Sequence, residues 1–142
     1  MWYGIGDEMR TIKFRGKHVH IWKENGKFDG VWVYGYLCSN HNIYDETINA
    51  DMLVLPSTVG QFTGLYDKNG TEIYEGDIVK GIYSEYENET VHEVKYFVED
   101  YKYPAFDLEP CIDFAEGNSL QYATIVYTLE IIGNIHDNKE IK

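Results

Sequence analysis

Apolar and polar side chains alternate through much of this chain, the period of a strand with one face buried. From Arg10 to Arg15, Ile12 and Phe14 fall on one side and Thr11, Lys13 and Arg15 on the other. Gly16-Lys17 then reads as a turn, and His18 to Trp22 as a second short strand ended by Asn25-Gly26. Lys27 to Cys38 is the longest strand expected, with Val31, Val33, Gly35 and Leu37 on one face and Trp32, Tyr34 and Tyr36 on the other. Both faces are apolar or aromatic, so the strand is buried on two sides or covers a core with one face and a partner with the other. Ser39 to Asn49 is polar and turn-rich, with Ile43, Tyr44 and Ile48 too sparse for a helix. A brief apolar strand from Asp51 stops at Pro56, which lacks the ladder donor.

The next stretch, Val59 to Lys80, is dense in turn chemistry. Asp67-Lys68-Asn69-Gly70 places a carboxylate where it accepts a local N–H, then Asn and Gly where a type I turn needs a bridge residue followed by a left-handed one. Glu75-Gly76-Asp77 is a second reversal, and it launches the β-branched start Ile78-Val79 of a strand running on through Ile82 and Tyr83. Beyond an acidic loop at Glu85 to Glu89, Thr90 to Val98 alternates, with Val94, Tyr96 and Val98 on one side and Tyr103 to Leu108 as its hairpin partner. Pro110 to Ser119 is irregular, with a single helical turn expected around Phe114. Leu120 to Ile135 closes the fold, bent or bulged at Gly133-Asn134.

Composition sharpens this picture. Thirteen tyrosines among 142 residues bring the aromatic share to 15%, which suits half-buried sheet faces or interaction surfaces. The net charge of −12 is uneven: residues 1–27 carry six basic and three acidic side chains, residues 28–142 six and 21, giving +3 and −15. A basic head can therefore lie against an acidic body, within one chain or between neighbours. No apolar run approaches the roughly 20 residues of a membrane span, and the amino terminus lacks signal-peptide order, so a cytoplasmic protein is expected. In that compartment Cys38 and Cys111 are expected as free thiols, and the sequons at Asn69 and Asn88 carry no weight.

Candidate chemistry is thin. His18 and His20 share a strand face, with Cys38 and His41 as the nearby further ligands, but close-spaced ligand pairs of the usual zinc type are lacking. Asp77 with Glu72, Glu75 or Asp107 could supply paired carboxylates, yet Glu-Gly-Asp before a β-branched strand is accounted for by a turn. There is no Gly-x-Ser-x-Gly elbow and no Walker or Rossmann glycine order, and neither cysteine sits in a catalytic context. Lys13, Arg15 and Lys17, sent to one side of the first strand, form the one patch able to meet phosphate. Pairing with acidic groups of the same protein, within the chain or across a subunit interface, is the more economical use. The row Trp32, Tyr34, Tyr36 is the leading interaction candidate, covered by another lobe of the chain or by another molecule.

Six blocks occur in an order that resembles one family: Arg10-Thr-Ile-Lys-Phe-Arg-Gly-Lys17, Trp32-Val-Tyr-Gly-Tyr-Leu37, Thr58-Val-Gly-Gln-Phe-Thr-Gly-Leu65, Asp67-Lys-Asn-Gly70, Ile73-Tyr-Glu-Gly-Asp-Ile-Val79 and Leu129-Glu-Ile-Ile-Gly-Asn-Ile135. Together they are similar to the YopX-like proteins of bacteriophages and prophages, from Met9 to about Asn138. The resemblance implies a mainly β fold with an antiparallel SH3-like barrel in the carboxy-terminal half and a β-rich amino-terminal lobe. It also implies a small phage accessory protein, without bringing catalytic residues. Similar proteins tend to begin at the position of Met9, so residues 1–8 are expected to be a dispensable, disordered leader. One domain over 9–138 follows, with lobes at about 9–58 and 59–138 and a tail at 139–142. The expectation is a non-enzymatic protein-binding or self-associating module, needing no cofactor or metal, whose partner is a second copy or a phage or host protein. An acidic DNA mimic and a nucleic-acid factor using the basic strand stay open beside it.

Overall fold

The computed structural model describes residues 11–19, 28–83, 88–97, 105–112 and 118–137, and the expected leader and tail lie outside them. The chain divides into two compact units, Met1–Gly64 and Leu65–Lys142. The mainly β class expected from the sequence holds. Among the described residues the strands are β1 (Phe14–Val19), β2 (Phe28–Ser39), β3 (Asn42–Asp45), β4 (Ala50–Leu53), β5 (Gly60–Tyr66), β6 (Glu72–Tyr74), β7 (Asp77–Tyr83), β8 (Asn88–Phe97), β9 (Ala105–Glu109) and β10 (Tyr127–Asn134). A 3-10 turn at Pro56–Thr58 and one helix, α1 (Ser119–Val126), complete them.

In the first unit the strands run β4-β3-β2-β1-β5. Its core is Val33, Ile43 and Val54, with Phe14, Met52 and Val59 packed against it. Gly16-Lys17 is not the expected turn. β1 passes straight through it, with Gly16 opposite Val33. The glycine serves packing: a Cβ there would lie 3.0 Å from the Val54 Cβ. Val54 bridges His18, and the Leu55 N–H donates to the Lys17 carbonyl at 2.9 Å, so the chain leaving β4 returns to β1. Gly35 permits a closer approach still, since a Cβ there would stand 1.9 Å from the Tyr44 carbonyl oxygen. Residues 20–22, the rest of the expected second strand, lie outside the described residues.

The polar segment Ser39 to Asn49 holds a strand, β3, that its composition hides. Four residues are too few to show a period, and Ile43 and Asp45 alone are buried. Asp45 closes the bend that follows by accepting the N–H of Thr47 at 2.9 Å and, more weakly, of Tyr34 at 3.4 Å. Burial disfavours its charge, but hydrogen bonds from the Thr47 hydroxyl and from the N–H groups of Thr47, Tyr34 and Ile48 outweigh burial and hold its pKa below the usual carboxylate range.

The second unit is an antiparallel sheet in the order β10-β7-β8-β9. Val79, Val94, Leu108 and Leu129 give it one apolar face, which Leu120 and Ala123 of α1 cover. Its pairings among the described residues leave the sheet open, and other groups close its two edges. At β10 the Lys68 N–H donates to the Leu129 carbonyl at 2.8 Å, and the Ile131 N–H donates to the Asp67 carboxylate at 3.1 Å. At β9 the Asn118 side-chain amide donates to the Phe106 carbonyl at 2.7 Å. Edges blocked in this way are poor templates for unwanted strand pairing. The bulge expected near Gly133-Asn134 is there, as a register shift between Ile131 and Gly133.

The two reversals singled out by the sequence hold this unit. One oxygen of Asp67 accepts the N–H groups of Asn69 and Thr71 at 2.9 and 3.0 Å, while the other takes Ile131. Asp77 accepts the Tyr74 N–H at 2.7 Å. Gly70 and Gly76 have φ of 79° and 92°, the left-handed region that suits glycine. Gly76 also donates to the Val94 carbonyl and accepts from the Ile135 N–H, at 2.8 and 2.9 Å, which docks the turn between β8 and the chain leaving β10.

α1 occupies residues whose β-branched run Thr124-Ile125-Val126 favours strand. Tertiary contacts decide otherwise. The Asn118 side chain caps Gln121, the Asp107 carboxylate accepts the Leu120 N–H at 3.0 Å, and Leu120 and Ala123 are buried. The helical turn expected around Phe114 lies outside the described residues.

Replacing Asp67 by Ala leaves three N–H groups without their acceptor and should lower unfolding free energy by about 2–4 kcal/mol, with Asp67→Asn in between. Urea denaturation checks this, and a loss below about 0.5 kcal/mol would refute the role given to the carboxylate. A second outcome concerns His92, buried with Nδ1 donating to the Pro110 carbonyl and Nε2 accepting from the Thr90 hydroxyl, at 2.6 and 2.8 Å. Burial lowers its pKa on folding, the Pro110 contact only partly opposing this. The unfolded chain therefore binds the proton more readily, so His92's contribution is complete above the unfolded value near 6.5 and is lost as pH falls through the folded value. Wild-type protein should lose more stability than His92→Gln between about pH 7.5 and 5.5, and parallel curves would contradict this.

Candidate functional site

The basic group and the aromatic row, separate in the sequence, share one sheet face. The antiparallel register sets Arg15 opposite Tyr34 and Lys17 opposite Trp32, and directly opposed residues project to the same side. Gly16 and Val33, between them, point to the core. β3 and β4 extend the face, because Tyr36 is opposite Tyr44 and Tyr44 opposite Asp51. The sequence pattern did not mark Tyr44 or Asp51, since four-residue strands are too short for alternation to reveal them.

The two halves of the face differ in accessibility. Arg15 Cζ lies 4.6 Å and Lys17 Nζ 5.2 Å from the centroid of the Trp32 ring, so one indole meets two cations. Arg15 and Lys17 retain only 6% and 7% of their exposure, and burial lowers the Lys17 pKa. Lys13 Nζ lies 5.6 Å from the Phe62 ring centroid. Tyr34 and Tyr36, in contrast, are 42% and 53% exposed, with Val31 and Leu37 also exposed along the same strand.

The other predicted residues have local roles. His18 Nδ1 donates to the Leu53 carbonyl at 2.9 Å, and His20 lies outside the described residues. Cys38 is exposed with its thiol 3.6 Å from Asp51 Oδ1, His41 is exposed, and Cys111 is half-buried. Among the described residues, no three or more His, Cys, Asp or Glu side chains form a group that could hold a metal ion. Of the carboxylates considered for hydrolysis, Asp77 accepts from Tyr74 N–H, Asp107 from Leu108 and Leu120 N–H, and Glu72 from the Tyr74 hydroxyl. Among the described residues, no helix is long and apolar enough to cross a membrane.

A family model described as YopX protein matches residues 7–141. The crystal structure of protein EF1440 from Enterococcus faecalis is similar at 25% sequence identity, over 94% of this chain and 99% of that one, with a TM-score of 0.48. No curated protein matched the chain.

Because Trp32 supports two buried cations while Tyr36 faces outward, truncating them should have unequal effects. Trp32→Ala should lower unfolding free energy by about 2–4 kcal/mol and Tyr36→Ala by less than about 1 kcal/mol. Chemical denaturation of both variants reads the difference, and equal losses would show that the two rings do not divide into a support and a display.

Proposed function

The chain belongs to the YopX protein family, and from that premise we propose that it is a non-enzymatic protein-binding module of phage or prophage origin, acting in the cytoplasm of a bacterial host. The exposure of Tyr34 and Tyr36 carries this reading, because they stand on a sheet face whose opposite side already holds the core of the first unit. Tyrosine offers large contact area, a polar tip and little rotamer entropy, and it is enriched where proteins bind one another. Trp32, clamped beneath Arg15 and Lys17, acts as the floor of the surface.

The alternatives have weaker support. Arg15 and Lys17 are buried against Trp32, which leaves a phosphate backbone little to meet. The second unit carries 17 acidic and six basic residues, a net −11, as a DNA mimic would require. However, ion pairs Lys68–Glu130, Lys80–Glu89 and Lys95–Glu109 break up the acidic surface of its sheet.

A photo-crosslinking residue at position 36, compared with one at the still more exposed Ile125 on α1, tests the reading in host cells. Protein adducts should form from position 36 and be scarce from position 125. Absence of any protein adduct from position 36, or equal yields at both positions, would remove the proposal.

A further inference from the structure

Resting on the protein-binding reading above, the register of the first unit supplies the identity of the partner. Consecutive strands place Tyr36, Tyr44 and Asp51 in one cross-strand row. Lys13 extends the row at its other end: it immediately precedes Phe14, whose partner on β2 is Gly35, and so lies level with Tyr36. The Phe62 N–H donates to the Lys13 carbonyl at 2.9 Å, which keeps Lys13 in the plane of the sheet. Across four strands the order is cation, tyrosine, tyrosine, anion.

Such a row is complementary to itself. Turned through a two-fold axis between the tyrosines, it sets the cation of one copy over the anion of the other at both ends, and ring against ring in the middle. We propose that the partner is a second copy of this chain, held in an isologous pair by two Lys13–Asp51 contacts around Tyr36 and Tyr44. Asp51 is exposed, and its neighbour, the Cys38 thiol at 3.6 Å, is a weak donor that leaves the carboxylate able to take an ammonium. β2 also carries the exposed Tyr34 on this face, which widens the contact. With two exposed ion pairs and a few tyrosines as its contacts, dissociation constants in roughly the micromolar range are expected.

Charge reversal tests the symmetry. Lys13→Glu and Asp51→Lys should each weaken self-association about tenfold, because either change sets like charges together at both ends of the pair. An equimolar mixture of the two variants should recover wild-type association, since the reversed charges then meet at one end and the native pair at the other. Sedimentation equilibrium measures all four samples, and circular dichroism melts establish that each variant is folded. Single variants that associate like wild type would overturn the proposal, as would a mixture that remains monomeric while both variants are folded. A wild-type chain that stays monomeric at about 200 μM would overturn it too, without touching the protein-binding reading. Crosslinking from position 36 separates the two claims: an adduct of twice the chain mass supports the second copy, and adducts exclusively to other proteins overturn it while sustaining the broader reading.

Discussion

A single carboxylate, that of Asp67, ties the second unit together. One of its oxygens closes the turn between β5 and β6, and the other reaches the backbone of β10, 64 residues further along the chain. A charged acceptor that satisfies three backbone donors is worth more than an ordinary turn hydrogen bond. Its position also solves a topological problem. β10 is an edge strand, and the turn that Asp67 shapes meets that edge with the Lys68 N–H, where a further strand would otherwise be needed. Gly76 does the equivalent work at the next reversal, joining Val94 to Ile135 through its own backbone groups.

What could be read from the chain divides along the same physical line. Asp67, Asn69, Gly70, Gly76 and Asp77 were legible because turn chemistry is local: the side chain and the backbone it satisfies are a few residues apart. The reach of Asp67 to Ile131 was not, since nothing near Asp67 announces it. Gly16 misled for a related reason. A glycine between alternating residues signals either a reversal or a close approach, and here Val54, which decides between them, is distant in sequence. α1 and β3 depend on burial at a few points, Leu120 and Ala123 in one and Ile43 in the other, which overrides propensity in the helix and leaves no period in the strand.

The face in the first unit shows the same limit from the other side. Lys13, Arg15 and Lys17 were visible as a basic alternation, and Trp32, Tyr34 and Tyr36 as an aromatic one. Only the pairing of Arg15 with Tyr34 and of Lys17 with Trp32 makes them one surface, and it changes the meaning of both. Two cations resting on an indole become support, and the tyrosines that continue the row become display. Scaffold and surface thereby fall on different stretches: the dense turn chemistry around Asp67 and Asp77 stabilises, and β2 with its neighbours carries the exposed tyrosines.

Amide hydrogen exchange followed over a range of protein concentration tests that division most directly. The amides of Asn69, Thr71, Tyr74 and Ile131 should exchange slowly at every concentration, while protection from Val31 to Asp51 should rise as concentration rises. Concentration-dependent protection appearing between Val59 and Lys80 instead, with β2 unchanged, would contradict it.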